Sequence, residues 1–263
     1  MNLRDDVQLQ PGGRAAPPAA SVIHAVTAVV PAHNEAPNIG PLVEELGAAL
    51  GGLSRFEVIY VDDGSSDETW RELERLSRER PWLKLLRHET CCGQSTAIRT
   101  GVKAAREEWI VTLDGDGQND PADIGLLLAA AAGHPAPGEL QLVAGQRTRR
   151  KDPWHRRYSS RIANAVRAFL LDDATPDTGC GLKLFRKSAF LDLPYFDHMH
   201  RFLPALFRRQ GGAILLVEVN HRPRLRGRSH YGIGNRLWVG IVDLLGVMWL
   251  KRRHRSARIK DGC

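Results

Sequence analysis

A chain of 263 residues, 43% hydrophobic and 25% charged, is long enough for one large α/β domain with a full core, or two small ones, and its composition is that of an ordinary globular protein. No apolar run reaches the roughly 18 residues of a membrane span, and the N-terminus lacks the basic-then-apolar order of a secretory signal. The formal net charge of +7 is concentrated in residues 147–167, 201–228 and 251–260, which points to an anionic partner: a membrane surface, a phosphate or a nucleic acid.

Residues 1–22, rich in Pro, Gly and Ala, read as a disordered leader. From residue 26 short β-branched runs, Val26–Val30, Phe56–Val61, Leu83–Leu86 and Trp109–Leu113, read as buried parallel strands. Helical spacing separates them: Ile39, Leu42, Val43, Leu46 and Leu50; then Trp70, Leu73 and Leu76; then Ile98, Gly101, Val102 and Ala105. Ser65 followed by Glu68 is a capping-box pattern at the start of the second helix. Further on, Leu140–Ala144 and Ala213–Val219 read as strands. A helix is expected from about Tyr158, with Ile162, Val166, Phe169 and Leu170 on one side. Such alternation predicts right-handed crossovers on a parallel sheet.

Three strand ends carry polar clusters: PAHNE at 31–35, DDGSSD at 62–67 and DGDGQ at 114–118. Ligands of open α/β sheets bind beyond the carboxyl ends of strands where the strand order reverses. With an order of 3-2-1-4 for the first four strands, the acidic pair Asp114 and Asp116 falls beside Asn34 and Glu35. Two carboxylates on a bare glycine turn, with the neutral oxygen of Gln118, suit a hard divalent cation, Mg²⁺ or Mn²⁺, which would in turn neutralise a diphosphate. The four cysteines, Cys91, Cys92, Cys180 and Cys263, have neither metal-ligand nor disulfide spacing, so a reducing cytoplasm is expected. Cys91 and Cys92 read as small loop residues, and Cys180 as a packing residue.

Taken together, these three clusters resemble glycosyltransferase family 2 and its GT-A fold, and within it the polyprenyl-phosphate glycosyltransferases of the dolichyl-phosphate mannosyltransferase type. Gly145–Arg147, Arg156–Asn164, Asp177–Gly181 with Lys183, His200–Phe202 and Arg226–Tyr231 match further blocks of that subgroup, so the likeness runs from about residue 26 to 250. His33 stands where the subgroup more often has Tyr. Gly115 stands where relatives often have Ala, a difference expected to matter little. The resemblance implies a mostly parallel, Rossmann-like sheet flanked by helices over 23–235, then an apolar helix with a basic tail over 236–263.

Carried over by position, Pro31, His33, Asn34, Glu35, Asp62, Asp63 and Asp114 would line the nucleotide-sugar. Asp114, Asp116 and Gln118 would hold Mg²⁺ or Mn²⁺, with Asp116 catalytic. Arg147 and Arg161 would grip the acceptor phosphate, which suits the planar guanidinium fork. Arg226, Ser229 and His230 would close over the donor diphosphate. The implied reaction is inverting transfer of one sugar to a polyprenyl phosphate, whose oxygen is already anionic and needs no general base.

The stretch Leu237–Leu250 is nearly all apolar and meets Lys251–Arg255. As a helix it would be ~21 Å long, short of a ~30 Å hydrocarbon core. It reads either as a core helix or as an in-plane anchor, with Trp238 and Trp249 at headgroup level and basic residues on anionic lipid. Many members of the subgroup continue into transmembrane helices here, and a peripheral place on the cytoplasmic membrane face is expected. Two other readings compete. Transfer to a saccharide hydroxyl would need a general base, for which Asp177 is the one residue worth testing. A nucleic-acid-binding module is disfavoured by an aromatic content of only 6% and by the acidic pair.

Overall fold

The computed structural model describes residues 7–10, 23–147, 167, 170, 171, 175, 177–223 and 233–255. Its centre is one eight-stranded sheet of β1 (Val7–Gln10), β2 (Ala25–Ala32), β3 (Arg55–Asp62), β4 (Leu83–Arg87), β5 (Trp109–Thr112), β6 (Leu140–Arg147), β7 (Lys183–Arg186) and β8 (Ala213–Val219), in the order β1-β8-β6-β7-β5-β2-β3-β4. The four strands expected first are β2 to β5, and they lie in the expected 3-2-1-4 order. β2 therefore has β3 on one side and β5 on the other, both parallel to it. The strand order reverses beside β2, and the crevice at that point is where the three polar clusters emerge.

Two features depart from the sequence reading. β7, a four-residue strand bounded by Lys183 and Arg186, is inserted between β5 and β6 and runs antiparallel to both. It is too short for its period to be read, and its charged ends disguise a buried centre at Leu184 and Phe185. Val7–Gln10, inside the stretch expected to be a disordered leader, forms an edge strand parallel to β8.

Helices α1 (Ala36–Leu50), α2 (Thr69–Ser77) and α4 (Ile124–Ala132) cover one face of the sheet. Their apolar rows, including Ile39, Leu42, Leu46, Leu73 and Leu127, join Val26, Ala28, Val30, Val58 and Tyr60 in one core. Helices α3 (Gln94–Ala104), α5 (Lys187–Leu191), α6 (Leu203–Arg209) and α7 (Ile233–Arg253) contribute to the other face. There Ile98, Val102, Phe190, Phe207 and Val247 pack with Val29, Ile59, Val61 and Phe185. Neighbouring residues of β2 and β3 thus supply opposite cores, as the period-2 alternation of a strand buried on both faces requires.

The capping box read at Ser65 and Glu68 is not formed. Ser65 Oγ instead accepts from the Asn34 N–H at 2.9 Å, and the free end of α2 is met by Asp67, whose Oδ1 accepts from the Thr69 N–H at 2.9 Å. The helix expected from Tyr158 lies outside the described residues, apart from helical backbone at Arg167, Leu170 and Leu171.

α7 packs only in part against the core. Val247 is fully buried, and Leu244, Met248 and Leu250 pack beside it. Ile241, Val242, Leu245 and Trp249 are exposed, the last two by 59% and 58%. One face of the helix is core and another is bare apolar surface. Among the described residues, no helix is long and apolar enough to cross a membrane.

Candidate active site

The loop after β2 is built as a clasp. Pro31 and Ala32 end the strand opposite Val61 and Asp62 of β3. The His33 Nδ1–H donates to the Asp63 carbonyl at 2.8 Å, which leaves Nε2 to accept from Asn34 Nδ2 at 3.2 Å. Asn34 has φ 55°, a left-handed conformation that Asn tolerates. From there its Oδ1 accepts from the Ser66 N–H at 2.9 Å and the Asp67 N–H at 3.3 Å. The Glu35 N–H donates to Thr69 Oγ1, and Glu35 Oε2 accepts from Asn38 at 2.6 Å.

Asp62 and Asp63 sit where the sequence placed them, but their carboxylates are turned into the protein. Asp62 is fully buried, accepts from the Ser65 N–H at 3.0 Å and pairs with Arg87 Nε at 3.1 Å. Asp63 accepts from His88 Nδ1 at 2.7 Å and the Cys92 N–H at 2.9 Å on Oδ1, and from Cys91 Sγ at 3.3 Å and the Gly93 N–H at 2.8 Å on Oδ2. A carboxylate offers about four acceptor positions, so these contacts use its capacity. Both carboxylates are thus held by the loops that flank the crevice. Burial opposes the charge on Asp63, but the hydrogen bonds from Cys92, His88, Cys91 and Gly93 outweigh it and hold the carboxyl below the usual carboxylate range.

The acidic turn after β5 is pinned from three sides. The Asp114 N–H donates to Asn119 Oδ1 at 3.1 Å, and Asp116 Oδ1 accepts from the Gln118 N–H at 3.1 Å. Gly115 lies under the Pro31 carbonyl, where a Cβ would approach to 2.8 Å, so an alanine here is not the neutral change expected from sequence. Gln118 bonds to the segment after β8: its carbonyl accepts from the Arg222 N–H at 2.9 Å, and its Nε2 donates to the Arg222 carbonyl at 3.4 Å. Arg222 in turn reaches Glu45 at 2.7 Å and Asp120 at 2.6 Å.

The Asp114 carboxylate faces the residues that lead into β7. A Cβ on Gly181 would run into it, and Gln94 Nε2, from the first turn of α3, donates to Oδ1 at 2.7 Å. Burial and the charge on Asp116 push its carboxyl upward, while Lys183, Gln94 and Arg147 act against that. Lys183 is buried, and burial lowers its pKa; its Nζ donates to the carbonyls of Cys180 and Thr178. Arg147, at the end of β6, forks onto Asp177 through Nε at 2.6 Å and Nη2 at 2.7 Å. Two of its five N–H donors are committed in this way.

The structure therefore brings Pro31, His33, Asn34, Glu35, Asp114, Asp116, Gln118 and Arg147 to one rim. Arg161, Arg226, Ser229 and His230 lie outside the described residues. Gln94 was not legible as a site residue; its one signal was the glycine before it at a helix start. A depression of about 550 Å³ between Gly138, Arg186 and Gly212 lies at the other end of the sheet and contains none of the motif residues.

With this arrangement in hand, comparison with known proteins is decisive. The family model for glycosyl transferase family 2 matches residues 27–193. The chain belongs to glycosyltransferase family 2. Among curated members it is 37% identical over 229 residues to dodecaprenyl-phosphate galacturonate synthase of Rhizobium johnstonii, covering 85% of this chain and 66% of that protein. It is 30% identical over 215 residues to undecaprenyl-phosphate 4-deoxy-4-formamido-L-arabinose transferase of Edwardsiella ictaluri, covering 80% and 64%. The chain thus spans just under two thirds of the length of these relatives. Among solved structures, glucosyl-3-phosphoglycerate synthase of Mycobacterium tuberculosis in complex with Mn²⁺ and UDP superposes with a TM-score of 0.66 at 15% identity, over 89% of this chain and 82% of that one. At that identity the likeness shows the GT-A fold.

Proposed function

We propose that this family 2 glycosyltransferase moves one sugar from a nucleotide-sugar to a polyprenyl phosphate, with inversion. The observation that carries the reading is the convergence of the Asp114–Asp116 turn and the Arg147–Asp177 fork at the switch point, in a chain whose curated relatives are named as polyprenyl-phosphate sugar transferases. An acidic pair separated by one glycine, with a further glycine and Gln118 behind it, is a donor set of hard oxygens. The upward pressure on the Asp114 carboxyl is what a cation would relieve. Asp114, Asp116 and Gln118 would hold Mg²⁺ or Mn²⁺, which supplies neutralising charge for a diphosphate when bound.

The chain's own residues then position two anions. Arg147, aligned by Asp177, presents its remaining N–H groups to the acceptor phosphate, together with Arg161. Arg226, Ser229 and His230 cover the donor. An acceptor phosphate oxygen attacks the anomeric carbon as the bond to the nucleotide diphosphate breaks and its electron pair leaves with the diphosphate. No proton needs to move, so positioning and charge stabilisation suffice. Transfer to a saccharide hydroxyl would need a base, and the residue considered for it, Asp177, is held in the fork with Arg147.

The exposed face of α7, with Ile241, Val242, Leu245 and Trp249 ahead of Lys251, Arg252 and Arg253, is read as a contact with an anionic membrane surface on the cytoplasmic side. The test is a transfer assay: purified chain, Mg²⁺ or Mn²⁺, undecaprenyl phosphate and a panel of labelled nucleotide-sugars. Label should reach the organic phase with one donor and stop with EDTA. Nucleotide binding without transfer to any lipid phosphate would defeat the acceptor assignment.

A further inference from the structure

The segment that follows β8 is fastened to the acidic turn residue by residue, and the fastening centres on Arg222. Its N–H donates to the Gln118 carbonyl at 2.9 Å, and its carbonyl accepts from Gln118 Nε2 at 3.4 Å. One step earlier, His221 and Asn119 form an antiparallel bridge. A step before that, Asp123 accepts from the Asn220 N–H at 2.6 Å and from its Nδ2 at 3.1 Å. Asn119 Oδ1 also accepts from the Asp114 N–H, so the pairing reaches the first member of the acidic pair.

The side chain of Arg222 closes the same junction. Nη1 lies 2.7 Å from Glu45 Oε2 on α1, and Nη2 lies 2.6 Å from Asp120 Oδ1. A guanidinium fork can hold two carboxylates of different elements at fixed angles, which a single ammonium cannot. Asp120 Oδ1 also accepts from the Ala122 N–H at 3.0 Å, so the chain just beyond the acidic turn hangs on the same atom. Glu45, Arg222 and Asp120 form a linked set, which holds its geometry better than an isolated surface pair. Asp114, Asp116, Asp120 and Asp123 crowd into one short stretch, and like charges push such a loop apart. The two ion pairs of Arg222 go to Glu45 and Asp120 and not to the acidic pair itself.

We propose that Arg222 is a positioning residue for the divalent cation, acting through Gln118, whose amide its carbonyl orients, and through Asp120, whose charge it offsets. With Nε2 held on the Arg222 carbonyl, Gln118 Oε1, the atom a hard cation takes, is turned the other way. The inference rests on the metal role proposed for Asp114, Asp116 and Gln118. Distance along the chain hid it, since Gln118 and Arg222 are 104 positions apart. In the sequence Arg222 is one of many basic residues within 201–228 that point to an external anion. Its anions belong to the chain itself.

The test uses the full chain and Mn²⁺ alone. Uptake is read from the loss of the free-ion electron paramagnetic resonance signal, and backbone hydrogen exchange is followed over residues 114–120. Arg222→Ala should weaken Mn²⁺ uptake about 10–100-fold and speed exchange in that stretch, with circular dichroism showing a retained fold. Arg222→Lys, which can keep one of the two ion pairs, should fall between the parent and the alanine variant, and it carries the test if the alanine variant does not fold. Uptake at the parent level in the folded variants, even with faster exchange, would overturn the proposal and leave the metal role standing. No uptake by the parent chain would remove the metal role itself, and the proposal with it.

Discussion

Gln94 and Asp114, twenty residues apart, are joined by a 2.7 Å hydrogen bond that ties the start of α3 to the acidic turn after β5. The amide gives the carboxylate a fixed direction without neutralising it. A hydrogen bond to a charged group contributes about 1.5–3 kcal/mol. Gln94→Ala should therefore raise the Mg²⁺ or Mn²⁺ concentration needed for half-maximal transfer by roughly 10-fold or more. Unchanged metal dependence would remove Gln94 from the site.

Gly181 leaves room for that same carboxylate. Gly181→Ala places a methyl against Asp114 and should cut transfer strongly, at a stability cost of about 1–3 kcal/mol. Activity at the parent level, with denaturant unfolding also unchanged, would show that Asp114 has another place to go.

The Arg147–Asp177 fork is largely shielded from water, with side chains only 12% and 8% exposed. Removing one partner strands the other, so Asp177→Asn should destabilise the chain by about 3 kcal/mol. It should also raise KM for the lipid phosphate more than KM for the nucleotide-sugar. Equal changes in both constants would count against a role at the acceptor.

Two groups, His200 and Asp63, contribute to the acid response with the same sign. His200 is held well below the usual histidine range by burial, then by Lys183, Arg201 and His198, and its Nδ1 meets Ser95 Oγ at 2.8 Å. Its folded pKa is depressed, so its stabilising contribution is present above the unfolded value of about 6.5 and is lost as pH falls below it. Asp63 is depressed too, so its contribution is intact above about 4 and lost below. Melting temperature should fall in two stages on acidification. His200→Gln should abolish the first and leave the second, and a single-stage profile in the parent chain would contradict the assignment.

The bare face of α7 predicts binding to anionic vesicles. Leu245→Glu combined with Trp249→Glu should shift the chain to the supernatant in co-sedimentation without altering its melting temperature, since neither side chain is in the core. Retention on vesicles by the double variant would assign the contact to the basic residues alone.

Much of this was legible in advance, for physical reasons that differ by element. β2, β3 and β5 are buried on both faces, so they read as continuous β-branched runs, and the order that follows placed the acidic turn correctly beside Asn34 and Glu35. β7 was invisible, because four residues between charged ends leave no period to read. Asp62 and Asp63 were placed correctly at the end of their strand. Sequence shows an acidic loop, yet only coordinates show that Ser65, Arg87, His88 and the 91–93 turn have claimed its oxygens. The Arg147–Asp177 fork was hidden for a similar reason, since its partners are 30 positions apart.

The reversed direction of β7 sets where the chain returns to the sheet. The chain leaves the sheet at Arg147 and re-enters it at Lys183 on the same rim, because an antiparallel strand begins where its parallel neighbours end. Both ends of that span, Arg147 and Lys183, therefore stand on the side of the sheet where Asp114 lies.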